Sequence, residues 1–235
     1  MHVLDATALA DFYESPMGQV ARRHILRRVR LMWPSVANRR VLGYGFAVPY
    51  LRSFIGEAER VVAVMPAQMG VVAWPAVRQL VTLVDEDALP FPDAFFDCLL
   101  VVHGLEGTDA MKRHLRELWR VVAPEGKLLL VAPNRTSLWA QVERSPFAHG
   151  RPYSRSQLDR LLRDAMFEPQ KWDISLLQPP FKSRRLIRTG TGWDRMGRAM
   201  WSALAGVHIV EAQKTVFGAV PIGRARERET TYAPA

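Results

Sequence analysis

The chain has one cysteine and no long apolar run. Cys98 is the single cysteine among 235 residues, which excludes an internal disulfide and a zinc site built from cysteines. Since it lies in the apolar run 98–102, we expect a buried, unreactive thiol. No apolar stretch approaches the ~20 residues that a membrane-spanning helix needs. The first residues also lack the basic-then-apolar pattern of a secretion signal, so we expect a cytoplasmic protein.

The composition is that of an ordinary globular domain except for its charge. Hydrophobic residues make up 49% and charged residues 23%, which argues against wholesale disorder, and the length suits one α/β domain. Lysine and arginine number 32 against 23 acidic residues, so the formal net charge is +9. This surplus favours an anionic partner, such as nucleic acid, a phosphorylated small molecule or an acidic membrane surface.

Short apolar runs alternate with longer amphipathic stretches along the chain. Five of these runs are predicted strands: 40–42, 61–64, 80–83, 98–102 and 127–131. Because they show no polar alternation, both faces of each strand should be buried, as in a parallel sheet covered by helices. The repetition of strand and helix predicts a doubly wound α/β sheet.

The longest predicted helix covers about residues 8–33 and ends before Pro34. Five arginines occupy its polar positions: Arg22, Arg23, Arg27, Arg28 and Arg30. They form either a solvated helix face or a binding surface for an anion. Further helices are predicted over 50–57 and 109–122, and another opens at Ser154, which begins a capping-box pattern.

The last third of the chain differs in composition from the rest. Late strands are predicted over 172–177 and 207–217, with a basic segment between them that includes a short helix around 193–204. Six residues of this segment can bind phosphates and stack on bases: Lys182, Arg184, Arg185, Arg188, Trp193 and Trp201. The pattern leaves nucleic acid open as a partner.

We predict a single domain over residues 1–223. It comprises the N-terminal helix, a core over about 38–170, and the C-terminal strands with their basic insertion over 171–223. The tail 224–235 is polar and shows no periodicity, so we expect it to be disordered.

One block of sequence carries a family resemblance. The segment Asp85-Glu-Asp-Ala-Leu-Pro-Phe-Pro-Asp93 leads through the fourth strand to His103-Gly-Leu-Glu106. With the helix-turn-strand segment 115–128 and Pro152-Tyr153-Ser154, it resembles the type 11 branch of the class I S-adenosylmethionine-dependent methyltransferases. The resemblance implies a Rossmann-like seven-stranded sheet with helices on both faces, S-adenosylmethionine as the cofactor and methyl transfer as the activity.

The resemblance also implies which residues bind the cofactor. In an open parallel sheet the ligand lies beyond the carboxyl ends of the strands, at the point where the strand order reverses. The implied cofactor-binding residues are Gly43, Tyr44 and Gly45 after the first strand, Met65 at the end of the second, and Asp85 with Glu86 after the third. Asp85 matches the acid that the family places near the adenine amino group.

The chain departs from the family at the ribose and methionine contacts. The acidic position of the first motif is taken by Gly43 or, in a shifted register, by Val41, while Ala47 and Pro49 replace glycines. Met65 stands where the family has the acid that holds the ribose hydroxyls. Since a hydrogen bond to a charged group contributes roughly 1.5–3 kcal/mol, losing the ribose carboxylate weakens binding by about 10- to 100-fold.

Candidate substrate-side residues follow the fourth and fifth strands. His103 ends the fourth strand, where the family lines the space around the reactive methyl, although a structural role fits it equally. Asn134, His149, Arg151 and Tyr153 can converge above the site and bind an anionic or polar substrate. The alternative is a structured loop whose polar groups satisfy the backbone.

Three functions are compatible with this sequence. The first is an S-adenosylmethionine-dependent methyltransferase of unknown substrate with an atypical cofactor pocket. The second is a catalytically inactive methyltransferase-like protein that acts as a binding or regulatory partner. The third is an association with nucleic acid, with or without methyl transfer.

Overall fold

The chain folds around one twisted sheet. The computed structural model describes residues 5–75, 77, 79–107, 111–142, 144–178 and 204–216. The strands within these ranges are β1 (Arg40–Gly45), β2 (Arg60–Pro66), β3 (Val81–Val84), β4 (Phe96–Val102), β5 (Val122–Pro133), β6 (Phe167–Ser175) and β7 (Val207–Lys214). The α-helices within them are α1 (Ala6–Glu14), α2 (Pro16–Met32), α3 (Val48–Leu51), α4 (Met111–Val121) and α5 (Arg155–Asp164).

The sheet has seven strands in the order β3-β2-β1-β4-β5-β7-β6. β7 runs antiparallel to both of its neighbours, whereas the other pairs are parallel. The predicted seven-stranded doubly wound sheet is confirmed. The strand order reverses between β1 and β4, where Gly45 pairs with Val102, and this reversal fixes where a ligand is expected.

The sheet has an apolar layer on each face. On one face Val41 belongs to the cluster that includes Ile25 of α2. On the other, Leu42 and Tyr44 belong to the cluster that includes Leu115 of α4. Successive β1 residues therefore serve opposite layers, as strand geometry requires. Cys98 is buried as predicted, and burial raises the pKa of its thiol to about 11.

The predicted helix over 8–33 is wrong as a single element, because the structure has two helices there. Ser15 adopts an extended conformation with ψ of 156°, and its hydroxyl accepts a hydrogen bond from the Gly18 amide. Pro16 disfavours a helical conformation at Ser15, and this residue pair ends α1 and begins α2. The Ser-Pro signal was present in the sequence and was overridden by the apolar periodicity.

Other boundaries moved by a few residues or more. The helix predicted over 50–57 is the four-residue α3 followed by turns, and β6 begins at Phe167, earlier than predicted. The capping box is confirmed, since the Ser154 hydroxyl and the Gln157 side chain each bond the other residue's amide. The predicted helix around 193–204, the basic cluster 182–188 and the tail 224–235 lie outside the described residues, apart from Leu204. Within the described chain, no helix is both long and apolar enough to cross a bilayer.

Candidate active site

The turn after β1 packs directly against the end of β4. Gly45 has a φ of 75°, and a Cβ added there would lie 2.4 Å from the Val102 carbonyl oxygen and 2.8 Å from the Gly104 Cα. The Phe46 amide donates to that same carbonyl at 2.7 Å. The chain therefore requires glycine at position 45 for its own packing, with or without a ligand. Gly43 is similarly enclosed, because an added Cβ would lie 2.3 Å from the Leu51 Cδ1.

Tyr13 of α1 reaches across this turn. Its ring stacks on Phe46 with centroids 5.9 Å apart and planes 10° from parallel. Its hydroxyl lies 2.9 Å from His103 Nε2 and receives a hydrogen bond of 2.9 Å from the Tyr50 hydroxyl. Residues from α1, from α3 and from the loops after β1 and β4 thus meet at the reversal point of the sheet.

The hydroxyl chain favours one tautomer of His103. With Tyr50 donating to Tyr13, the hydroxyl proton of Tyr13 has a partner when His103 Nε2 accepts it. Burial lowers the pKa of His103 to about 3, so the imidazole is neutral and its remaining proton lies on Nδ1. That Nδ1 is buried and has no hydrogen-bond partner among the described residues. His103 also has a φ of 51°, in the left-handed region that side chains rarely adopt.

Glu106 presents a second unpaired group on the same loop. Its side chain is buried, with Oε2 accepting from the Leu105 amide at 3.0 Å. Its Oε1 has no partner within the described ranges, and burial raises the pKa of the carboxyl to about 7. The next loop covers it: a Cβ at Gly150 would lie 2.6 Å from the Glu106 Cβ, and the Arg151 amide donates to the Glu106 carbonyl.

The predicted substrate-side residues separate into two groups. The Asn134 side chain donates to the Ala205 carbonyl at 2.9 Å, and the Tyr153 hydroxyl donates to the Leu105 carbonyl at 3.1 Å. Both side chains therefore fasten loops to each other, as the structural alternative expected. His149 is half-buried and Arg151 is exposed on the covering loop. A contact between any of the four and a substrate stays a prediction.

The predicted cofactor-side residues lie at the ends of three neighbouring strands. Met65 is fully buried, and it offers no carboxylate at the end of β2. Asp85 is exposed after β3, where its Oδ1 accepts from the Asp87 amide at 2.9 Å. The Glu86 carboxylate accepts from the Gln68 side chain. Both carboxylates follow β3, where the resemblance implies the adenine.

Tyr44 does not share the face of Gly43 and Gly45. Its ring lies 4.6 Å from that of His114 on α4, in the opposite apolar layer, and burial raises its pKa. The Tyr44 ring packs against Gly104. A Cβ added to Gly104 would lie 2.7 Å from the Tyr44 ring. Tyr44 therefore lies in the layer of α4 and contacts Gly104 of the loop after β4.

Two of the five arginines of α2 form ion pairs, and the other three are exposed. Arg28 lies 3.4 Å from Asp173 and Arg30 lies 2.9 Å from Glu57. The other three are exposed on the helix surface: Arg22, Arg23 and Arg27. Nucleic-acid binding by this helix stays a prediction.

The comparisons with known proteins agree with this geometry. A family model described as a methyltransferase domain, of type 11, matches residues 42–130. This segment runs from the glycine turn through the loop of His103 and Glu106 to β5. Over residues 42–130 the chain is therefore similar to the type 11 branch of the class I S-adenosylmethionine-dependent methyltransferases. The cofactor of this family is S-adenosylmethionine.

Curated relatives match this chain over a short segment. The ubiquinone/menaquinone biosynthesis C-methyltransferase UbiE of Yersinia pestis is 44% identical over 45 residues, which is 19% of this chain and 18% of that protein. The UbiE of Pectobacterium carotovorum gives the same figures. The match therefore spans less than a fifth of the length of these relatives.

Solved structures share the fold over most of the chain. A methyltransferase from Archaeoglobus fulgidus is 18% identical with a TM-score of 0.56, covering 82% of this chain and 94% of that one. The 1,6-didemethyltoxoflavin-N1-methyltransferase of Burkholderia thailandensis, solved with S-adenosylhomocysteine, gives 17%, 0.59, 89% and 85%. The [4+2]-cyclase SpnF gives 21%, 0.59, 86% and 85%. At these identities the likeness concerns the fold.

The residues around the reversal point fit S-adenosylmethionine in part. Asp85 and Glu86 offer acceptors for an adenine amino group, and the unpaired groups of His103 and Glu106 lie on the loop beside the glycine turn. The ribose contact is the exception, because Met65 cannot accept hydrogen bonds from two hydroxyls as a carboxylate does.

Sequence reasoning missed three residues of this site. Glu106 was visible in the His-Gly-Leu-Glu segment, four residues beyond the end of β4, and was not selected. Tyr13 and Tyr50 gave no local signal, because their contact and the contact of Tyr13 with His103 join residues 37 and 90 positions apart.

Proposed function

We propose that this protein transfers a methyl group from S-adenosylmethionine to an acceptor bound beneath α1, at the end of β4. The observation that supports this most directly is the pair of unpaired buried groups, His103 Nδ1 and Glu106 Oε1. Leaving a buried polar group without a partner costs about 1–3 kcal/mol, and such groups call for an explanation. Hydrogen bonds to a bound ligand supply that explanation.

In this reaction the protein has to position the reactants and exclude water. When bound, S-adenosylmethionine supplies an activated methyl group, so catalysis depends on placement and on exclusion of water. Asp85 and Glu86 would hold the adenine end, and the turn at Gly45 would lie under the rest. The ring of Phe147, which lies 5.0 Å from that of His103, would keep water away from His103.

The lining favours an uncharged acceptor with an apolar body. Phe12 and Phe147 pack edge-to-face, as do Trp139 and Phe147, so the wall beside His103 is aromatic. His103 Nδ1 can donate a hydrogen bond and Glu106 can accept or donate one, according to its protonation. An anionic substrate, which the net charge suggested, would be repelled by ionised Glu106.

Isothermal titration with S-adenosylhomocysteine tests the proposal. We expect one molecule to bind per chain, about 10- to 100-fold more weakly than if a ribose carboxylate were present. Asp85→Asn should weaken binding, whereas Asp164→Asn, at an exposed position on α5, should leave it unchanged. Absence of binding at millimolar ligand would reject methyl transfer and favour the non-catalytic alternative.

A further inference from the structure

Tyr13 occupies the crevice in which a ligand is expected. The crevice lies between the loops that follow β1 and β4, and Tyr13 contacts both, by stacking on Phe46 and by its hydrogen bond to His103. The side chain is only 5% exposed. A ligand that reaches His103 from outside must therefore displace Tyr13 or share its space.

The helix that carries Tyr13 is suited to move. α1 has 9 residues, and a helix of this length is marginal without tertiary contacts. It packs mainly against α2 and is joined to it through the extended Ser15. Its anchors in the apolar layer include Leu9 and Phe12, whereas its polar attachment to the site is the Tyr13 hydroxyl.

We infer that α1 is a lid latched by Tyr13, and that S-adenosylmethionine binds only when the hydrogen bonds of Tyr13 to His103 and Tyr50 are broken. The inference rests on the proposed function, because it concerns access to the same site. A closed lid lowers the apparent affinity in proportion to the fraction of open molecules. The conformation in which Tyr13 stacks on Phe46 and fills the crevice is then the closed state of the site.

Tyr13→Phe is the direct perturbation of the latch. It removes both hydrogen bonds and keeps the ring, so the closed state loses stability and the open fraction rises. We expect S-adenosylhomocysteine to bind about tenfold more tightly to this variant than to the unmodified protein, measured by isothermal titration.

A second variant opens the lid without touching its polar contacts. Leu9→Ala removes a buried anchor of α1 and should also tighten binding of S-adenosylhomocysteine. Leu31→Ala is its matched control, because Leu31 on α2 is 60% exposed and the same truncation there leaves the lid unaffected. Urea unfolding of each variant checks that the sheet remains folded.

Amide hydrogen exchange measures the opening of α1 without any assay of activity. With saturating S-adenosylhomocysteine, the amides of α1 should lose protection while those at the centre of α2, around Ile25, keep theirs. Tyr13→Phe should reproduce part of that loss in the absence of ligand.

The outcomes separate the lid from the proposed function. If the unmodified protein binds S-adenosylhomocysteine as tightly as Tyr13→Phe and Leu9→Ala, or more tightly, the latch is refuted and the proposed function stands. If none of the three proteins binds it, the proposed function and the latch are both refuted. Tighter binding by both variants, with Leu31→Ala unchanged, supports the latch.

Discussion

Replacing Gly45 by alanine measures how firmly the turn after β1 is held against β4. The new Cβ would lie 2.4 Å from the Val102 oxygen and 2.8 Å from the Gly104 Cα, and both are backbone atoms that cannot rotate away. The φ of 75° adds a conformational cost of about 1–2 kcal/mol for a residue with a side chain. Forced displacement of packed atoms typically costs about 1–3 kcal/mol more.

Gly56 offers a matched control for this substitution. Its φ is 88°, yet a Cβ added there would meet nothing within 4 Å. Gly56→Ala should therefore lose only the conformational part, about 1–2 kcal/mol, whereas Gly45→Ala should lose about 2–5 kcal/mol of unfolding free energy. Urea unfolding followed by far-ultraviolet circular dichroism measures both values.

The difference between the two alanine variants carries the conclusion. A larger loss at Gly45 means that packing against β4 requires this glycine even without a ligand. Equal losses would refute that reasoning, and the glycine would then have to be explained by a ligand approaching the turn. Adding S-adenosylhomocysteine to both variants shows whether the same distortion also weakens binding.

Three further predictions concern the contribution of individual side chains to stability. Since burial raises the folded-state pKa of Glu106 to about 7, the native state binds its proton more tightly than the unfolded chain, and stability should fall as pH rises from about 4.5 to above 7. Glu106→Gln should remove up to about 3 kcal/mol of that pH-dependent change in urea unfolding, and an unchanged pH profile would contradict the assignment. Arg120 binds the Glu117 carboxylate through two nitrogens and also contacts Asp93. Arg120→Lys should therefore cost about 2–3 kcal/mol, and a cost near zero in thermal unfolding would show that a point charge suffices. Ser154→Ala should cost about 1 kcal/mol in urea unfolding through loss of the capping box, and a cost near zero would show that the cap contributes nothing.

The sequence predicted the sheet because its strands are continuous apolar runs. The run 98–102 became the interior of β4, and the block from Asp85 to Glu106 placed the site on the loops after β3 and β4. The break at Ser15 was missed because apolar residues recur at helical spacing both before and after it. In the folded chain, the Ser15 cap and Pro16 end α1 and begin α2 despite that periodicity.

The aromatic side of the site could not be predicted in the same way. Tyr13, Phe46 and Tyr50 come together only when α1 folds back over the sheet, and no local pattern records that contact. Asn134 and Tyr153 gave the opposite difficulty, because their polar groups pointed to a substrate and instead bond to main-chain carbonyls. Spacing identifies which loop a residue occupies, whereas packing decides what its side chain contacts.

A crystal structure of the protein grown with S-adenosylhomocysteine shows whether the ligand binds at the turn after β1 and displaces Tyr13. We expect ligand density over the turn at Gly45, with the adenine close to Asp85 and with Tyr13 displaced from His103. A structure at saturating ligand in which Tyr13 still bonds His103 and Tyr50, and no ligand density lies over the turn, would contradict this expectation.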